Sequence, residues 1–245
     1  MHRFFVSGEN LGSGQVVLTG KQAHQIRSVL RMTPGDQIIV LDNTGYEYAV
    51  AITDVGRQRV AGRMMYKQLA RGEPRTQITL YQSILAREKF EWVLQKCTEV
   101  GVTCFVPVVA QRSIVRWADT ITPHRLARWK SIVTEAAEQS GRGRIPQIQC
   151  PIKFADALAV LGAFDRCLIA CPQTTGPTLR ELLQAGRPAP AGIALLIGPE
   201  GGFSDEEIAA TSSKGAVAMS LGERVLRTET AAVVASALIL YELEK

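Results

Sequence analysis

With 245 residues, 46% of them hydrophobic and 21% charged, the chain reads as an ordinary folded protein, neither disordered nor fibrous. A formal charge of +5 inclines it toward an anionic partner, although many basic proteins bind no nucleic acid. The longest apolar run, Ala231 to Tyr241, falls well short of the roughly 20 residues that cross a bilayer, and the first ten residues hold no signal-peptide core.

The first 70 residues alternate short apolar runs with turn signals. Gln15 to Leu18, Gln37 to Leu41, Glu47 to Ile52 and Arg59 to Tyr66 read as strands, separated by Pro34-Gly35-Asp36 and Asn43-Thr44-Gly45. That pattern predicts a small β-rich barrel or sandwich, interrupted by one helix over Lys21 to Leu30. Leu69 to Arg75, polar with Gly and Pro, is the candidate linker, which divides the chain into domains at 1–70 and 71–245.

Beyond it, Ile78 to Ala86 reads as a strand, Glu88 to Val100 as a helix stopped by Gly101, and Cys104 to Ala110 as a strand. A long helix follows, with Thr122 as N-cap, Pro123 first in the helix and Gly141 at its end. Its apolar stripe runs through Leu126, Trp129, Ile132, Val133, Ala136 and Ala137. Strands at Cys167 to Ala170, Ile193 to Ile197 and Ala216 to Leu221 then alternate with helices. Such alternation predicts an α/β domain with a mostly parallel sheet covered on both faces. Trp92, Trp117 and Trp129 are assigned to core or interface.

Five cysteines without CxxC spacing read as reduced thiols of a cytoplasmic protein, and three histidines exclude an HExxH metal site. No metal is expected. The chemistry-bearing segments are instead glycine-rich. In Ile193 to Glu207, IALLIGPEGGFSDEE, an apolar strand runs into Gly198-Pro199-Glu200-Gly201-Gly202, and Ser204 with Glu207 forms a capping box. Glycines at the carboxyl end of a parallel strand let the backbone approach a ligand, though a plain tight turn uses them too. The GxxxxGK[ST] spacing of a P-loop is absent. In Met219 to Ala232, MSLGERVLRTETAA, a second strand ends at Gly222 and feeds a helix capped by Thr228 or a neighbour. Arg224 at that junction reads as a carboxylate partner and Arg227 as functional. The helix over Ala231 to Leu240 is apolar almost all round, which requires cover from the core or from a second subunit.

The pair IGPEGGFSxxE and LGxRxLRxETA resembles the ribosomal RNA small-subunit methyltransferase E family of the SPOUT, or trefoil-knotted, superfamily. Further matching stretches span nearly the whole chain. They are Arg3-Phe4-Phe5-Val6, His24 to Arg31 with Gly35-Asp36, Glu99-Val100-Gly101-Val102, Arg112-Ser113 and Glu135 to Arg142. The resemblance implies a PUA-like RNA-binding barrel followed by a knotted α/β domain. It also implies a homodimer and N3-methylation of a uridine in small-subunit ribosomal RNA, with S-adenosylmethionine as methyl donor.

Carried onto this sequence, the donor would be held by Leu196, Ile197, Gly198, Pro199, Gly201 and Gly202. Ser220, Leu221, Gly222, Val225 and Leu226 form the second loop, and Thr230 and Ala231 close the pocket. Cys171-Pro172-Gln173 would add a contact, although the acidic residue common near that loop in the family is missing. Arg227 would stabilise the negative charge of a deprotonated base, and Glu200 and Glu229 are candidate proton acceptors. RNA contacts would come from Arg3, His24, Arg27 and Arg31, and from Arg87, Lys89, Arg112, Arg142 and Arg144. Three rival readings stand beside this one. They are an RNA binder without catalysis, a knotted methyltransferase acting on another RNA atom such as a ribose hydroxyl, and a nucleotide-sensing module.

Overall fold

The computed structural model describes residues 1–113, 122–171, 179–184 and 190–244, without the side chains of Arg87 and Gln184. Trp117 and the pair Pro172-Gln173 lie outside the described residues. The chain forms two compact units, Met1–Glu73 with Ala137–Ile145, and Pro74–Ala136 with Pro146–Lys245.

The first unit is a six-stranded sheet built from β1 (Arg3–Phe5), β2 (Leu11–Gly12), β3 (Gln15–Thr19), β4 (Gln37–Leu41), β5 (Tyr46–Val55) and β6 (Arg59–Leu69). Their order is β1-β4-β5-β6-β3-β2, antiparallel throughout except for the parallel β1–β4 pair, so the sheet is a half-barrel. Its strands curl around buried Phe4, Leu18, Ile26, Ile38, Val40 and Ile52. Alternation drives this. In β5, Tyr48, Val50 and Ile52 turn to that core while Ala49 turns to a second cluster with Phe5, Ile39 and Leu41. Both predicted turns are present: Gly35 and Gly45 take positive φ, and Asp42 Oδ1 accepts from the Thr44 N–H at 2.9 Å. The helix expected over Lys21 to Leu30 is split into α1 (Gly20–His24) and a π turn (Gln25–Val29), in which the Leu30 N–H donates five residues back to Gln25.

Residues 69–73 of the candidate linker belong to the first unit. Leu69 is still strand, and Glu73 is fixed inside the first unit, where it accepts the N–H groups of Gly143 and Arg144 at 2.9 Å each.

The second unit holds seven parallel strands, β7 (Gln77–Ser83), β8 (Cys104–Val109), β9 (Gln147–Ile148), β10 (Ile152–Lys153), β11 (Arg166–Ala170), β12 (Gly192–Ile197) and β13 (Val217–Met219). They run in the order β10-β8-β7-β12-β11-β13, with β9 also paired to β8. Ile193 to Ile197 in β12 are buried without a polar break, as a strand covered on both faces requires. Its helices are α2 (Arg87–Val100), α3 (Pro123–Ser140, whose last four residues fall in the first unit), α4 (Phe154–Val160), α5 (Leu179–Gln184), α6 (Asp205–Ser213) and α7 (Thr228–Leu243). On one face α7 packs against β7, β12 and α2. On the other, Tyr81, Val106 and Leu196 meet Phe154, Leu161 and Phe203 from the α4 and α6 side. Thr122 caps α3 as expected, its Oγ1 accepting the Arg125 N–H at 3.1 Å, and Gly141 ends it at φ +77°.

The path after β12 is what builds the site. The chain leaves Ile197, forms α6, pairs β13 at the sheet's far edge beside β11, and then returns to start α7 over the end of β12.

Candidate active site

Because the strands are parallel, the glycine loop after β12 and the loop after β13 leave from the same end of the sheet. The first loop is tightly defined. The Gly202 N–H donates to Pro199 O at 2.9 Å, and Gly202 takes φ +69°, which a side chain would strain. Ser204 and Glu207 form the predicted capping box: Glu207 N–H to Ser204 Oγ at 3.2 Å and Ser204 N–H to Glu207 Oε2 at 3.0 Å. The other oxygen of Glu207 accepts the Gln111 N–H at 2.8 Å. Arg112 braces the loop from outside, its Nη1 donating to Gly201 O at 3.1 Å and Phe203 O at 3.3 Å. Beside it, the Ser204 hydroxyl chiefly, and Arg112 in small part, hold the Glu206 carboxyl below its usual range.

The second loop turns on Ser220, whose Oγ accepts the Gly222 N–H and donates to Gly222 O, both at 3.2 Å. Gly222 has φ +106° and open space where a Cβ would stand. Arg224, Val225 and Arg227 are exposed. Arg224 was expected to pair with a carboxylate, yet among the described residues it makes no ion pair. Cys171, at the end of β11, is half-buried, and burial pushes its thiol up so that it stays protonated.

Where the second loop meets α7, the N-cap is Arg227, in extended backbone and without a side-chain capping bond. Thr228 is the first helical residue. Its hydroxyl donates to Gly198 O at 2.5 Å instead of capping the helix, and accepts from Gln82 Nε2 at 3.3 Å. Arg227 therefore extends into solvent from the positive end of a helix dipole. Next to it, Glu229 Oε2 is buried and has no partner among the described residues. Glu200, the other candidate acceptor, is paired with Lys89 Nζ at 3.1 Å.

The two loops present glycines at positive φ and main-chain groups at the strand ends, where a ligand can approach the backbone closely, while Glu229 Oε2 and Gln82 Oε1 are themselves buried and orphaned among the described residues. Leu196 and Ile197 are enclosed in the sheet core, so only their main chain can serve such a ligand. Thr230 and Ala231 are half-buried on the first turn of α7, where the sequence reading places the pocket wall.

A family model described as an RNA methyltransferase domain matches residues 72–240, and one described as an RNA methyltransferase PUA domain matches residues 18–64. The ribosomal RNA small subunit methyltransferase E of Bacillus subtilis is 30% identical over 93% of this chain and 90% of its own. That of Synechocystis is 33% identical over 97% of this chain and 77% of its own. The crystal structure of the Neisseria gonorrhoeae enzyme of the same name, bound to S-adenosylmethionine, aligns at a TM-score of 0.84 with 33% identity, covering 98% of this chain and 96% of that one. The chain belongs to the ribosomal RNA small subunit methyltransferase E family.

Within that methyltransferase E framework, the basic residues named from sequence fall into distinct settings. On the first unit His24 and Arg31 are exposed, and Arg27 is half-buried with Nη1 donating to Arg57 O at 3.3 Å. Arg144 is exposed, its Nη2 donating to Thr44 O at 2.7 Å. Arg3 lies 3.8 Å from Glu47, and its Nε is buried without a partner among the described residues. Arg142 is only 2% exposed and is paired with Glu73 through Nε and Nη2 at 3.2 Å each, so its guanidinium is engaged within the first unit. On the second unit Lys89 and Arg112 are engaged with the glycine loop, and the side chain of Arg87 lies outside those described. Thr228 was named from sequence only as a candidate helix cap, and Gln82 was not singled out, since an interior glutamine among apolar residues was its only signal. Among the described residues no three His, Cys, Asp or Glu cluster as metal ligands, and no helix is long and apolar enough to cross a membrane.

Proposed function

We propose that this chain transfers the methyl group of S-adenosylmethionine to N3 of a uridine in small-subunit ribosomal RNA. The Bacillus, Synechocystis and Neisseria relatives carry the ribosomal substrate in their names, and the Neisseria structure carries the donor. The donor, when bound, supplies an electrophilic methyl on a sulfonium. The chain's own task is alignment and charge control.

The observation that carries the chemistry is Arg227 at the N-cap of α7, exposed beside the buried and unpartnered Glu229 Oε2. N3 of uridine is a weakly acidic imide, and removal of its proton spreads negative charge onto the flanking carbonyl oxygens. Arg227, reinforced by the helix N-terminus, stabilises that charge. Glu229 is favoured over Glu200 as proton acceptor because Lys89 already occupies the latter. The main chain of Leu196 to Gly202 and of Ser220 to Leu226, with Thr230 and Ala231, holds the donor. His24, Arg27, Arg31 and Arg144 on the half-barrel contact the RNA backbone, which makes affinity salt-dependent. Two copies associate through the open side of α7. The return of the chain from β13 to the end of β12 suits the threaded path of a knotted domain.

The test is incubation with labelled S-adenosylmethionine and unmethylated small subunits, followed by reverse transcription. A methyl on N3 blocks the pairing edge, so one uridine-specific stop is expected. Label without a stop would overturn the N3 assignment. Arg227→Ala is expected to lower turnover at least about 100-fold, the scale of losing an oxyanion donor, while sparing donor affinity. Near-normal turnover would remove Arg227 from the mechanism.

A further inference from the structure

Gln82 is a buried polar residue near the carboxyl end of β7. It is 1% exposed and pairs in register with Ile197, the last residue before the glycine loop. Its Nε2 donates twice, to Ser83 O at 3.0 Å and to Thr228 Oγ1 at 3.3 Å. The Thr228 hydroxyl has a single proton, which goes to Gly198 O at 2.5 Å, so toward Gln82 it acts only as acceptor. Directionality then fixes the amide. Both N–H groups are used, and Oε1 is left buried without a donor among the described residues. One hydroxyl thus joins the end of β7, the first residue of the glycine loop and the first residue of α7. Thr228 stands between Arg227 and Glu229.

We propose that Gln82 and Thr228 are positioning residues that set the glycine loop and the Arg227–Glu229 turn as a single piece. This rests on the reading of those two segments given above. Neither residue touches the reacting atoms. Tethered by its carbonyl, Gly198 cannot shift to admit a ligand without carrying the start of α7 along. Loss of the hydroxyl frees the loop and the turn to move separately, so donor binding and guanidinium placement fail together. Interior polar networks of this kind act as units, and their members should not behave additively.

The decisive variants are Thr228→Val, which keeps the shape and removes the hydroxyl, Thr228→Ser, which restores it, and Gln82→Leu. Calorimetric titration with S-adenosylmethionine alone is followed by single-turnover methylation, with melting curves confirming folded protein. Thr228→Val should weaken donor binding several-fold and lower the rate about tenfold or more, with Thr228→Ser within about twofold of wild type. The Gln82→Leu, Thr228→Val double variant should be no worse than the poorer single. Unchanged donor affinity and rate per folded molecule in Thr228→Val would overturn the clamp and leave the cofactor reading standing. If the wild-type chain itself binds no S-adenosylmethionine, the cofactor reading falls and the clamp with it. Gln82→Leu carries the same comparison should Thr228→Val misfold.

Discussion

Arg142 and Arg144 stand two positions apart, carry the same charge and occupy opposite environments. Glu73 grips Arg142 with both oxygens and uses Oε1 again for the Gly143 and Arg144 N–H groups. Removing one member of a buried pair strands the other, so Arg142→Ala should destabilise the fold by about 3–5 kcal/mol in urea titration. Arg144→Ala should leave stability within about 0.5 kcal/mol and lower the salt slope of RNA binding by about one. A stability loss for Arg142→Ala no larger than for Arg144→Ala would refute this division. Sequence showed that both were basic and placed Arg142 at the end of a matching stretch, but not which was buried, because the partner lies 69 positions away. Glu138 in the same motif likewise serves structure, accepting the Phe5 N–H at 2.9 Å. The place of Arg227 was legible for the opposite reason: a strand end feeding a helix start is written within ten residues.

Local signals decided which elements could be read. The Ser204–Glu207 box needs only four residues, and it starts α6 where expected. Ser204→Ala should cost about 1 kcal/mol of stability in chemical denaturation, the usual cost of a lost cap. Glu207 would keep its bond to the Gln111 N–H, so the loss should stay near that value. A neutral result would mean that water replaces the hydroxyl at no cost. Short strands escaped notice. β1, β9 and β10 have three residues or fewer, too few for a period of two to show, and each exists because a neighbour supplies its hydrogen bonds. The π turn in the first unit was hidden because apolar spacing fixes a helical face without fixing the hydrogen-bond step. The parallel sheet was plain because strands buried on both faces read as unbroken apolar runs.

At the scale of the whole molecule, α7 divides into two sides. Ala232, Ala235, Ser236, Ile239 and Leu240 are buried at helical spacing, packed with α2 and the sheet. The opposite side leaves Leu238 41% and Tyr241 65% exposed, and Trp92 on the neighbouring α2 is also open. A helix apolar all round has no reason to carry leucine and tyrosine toward water unless something covers them, and a second copy with the same surface gives a closed twofold pair. Such an interface must bury at least about 1,000 Å² to persist, which a sixteen-residue helix with part of α2 can contribute from each side. Sedimentation of the wild-type chain should therefore show a dimer at micromolar concentration. The double change Leu238→Lys and Tyr241→Lys should yield single chains that keep a native melting transition, since neither residue belongs to the buried stripe. If turnover falls with the dimer while donor binding persists, the partner copy completes the RNA-facing side of the pocket. If the wild-type chain sediments alone at every concentration, the open side of α7 is not a homodimer surface and its apolar residues need another explanation.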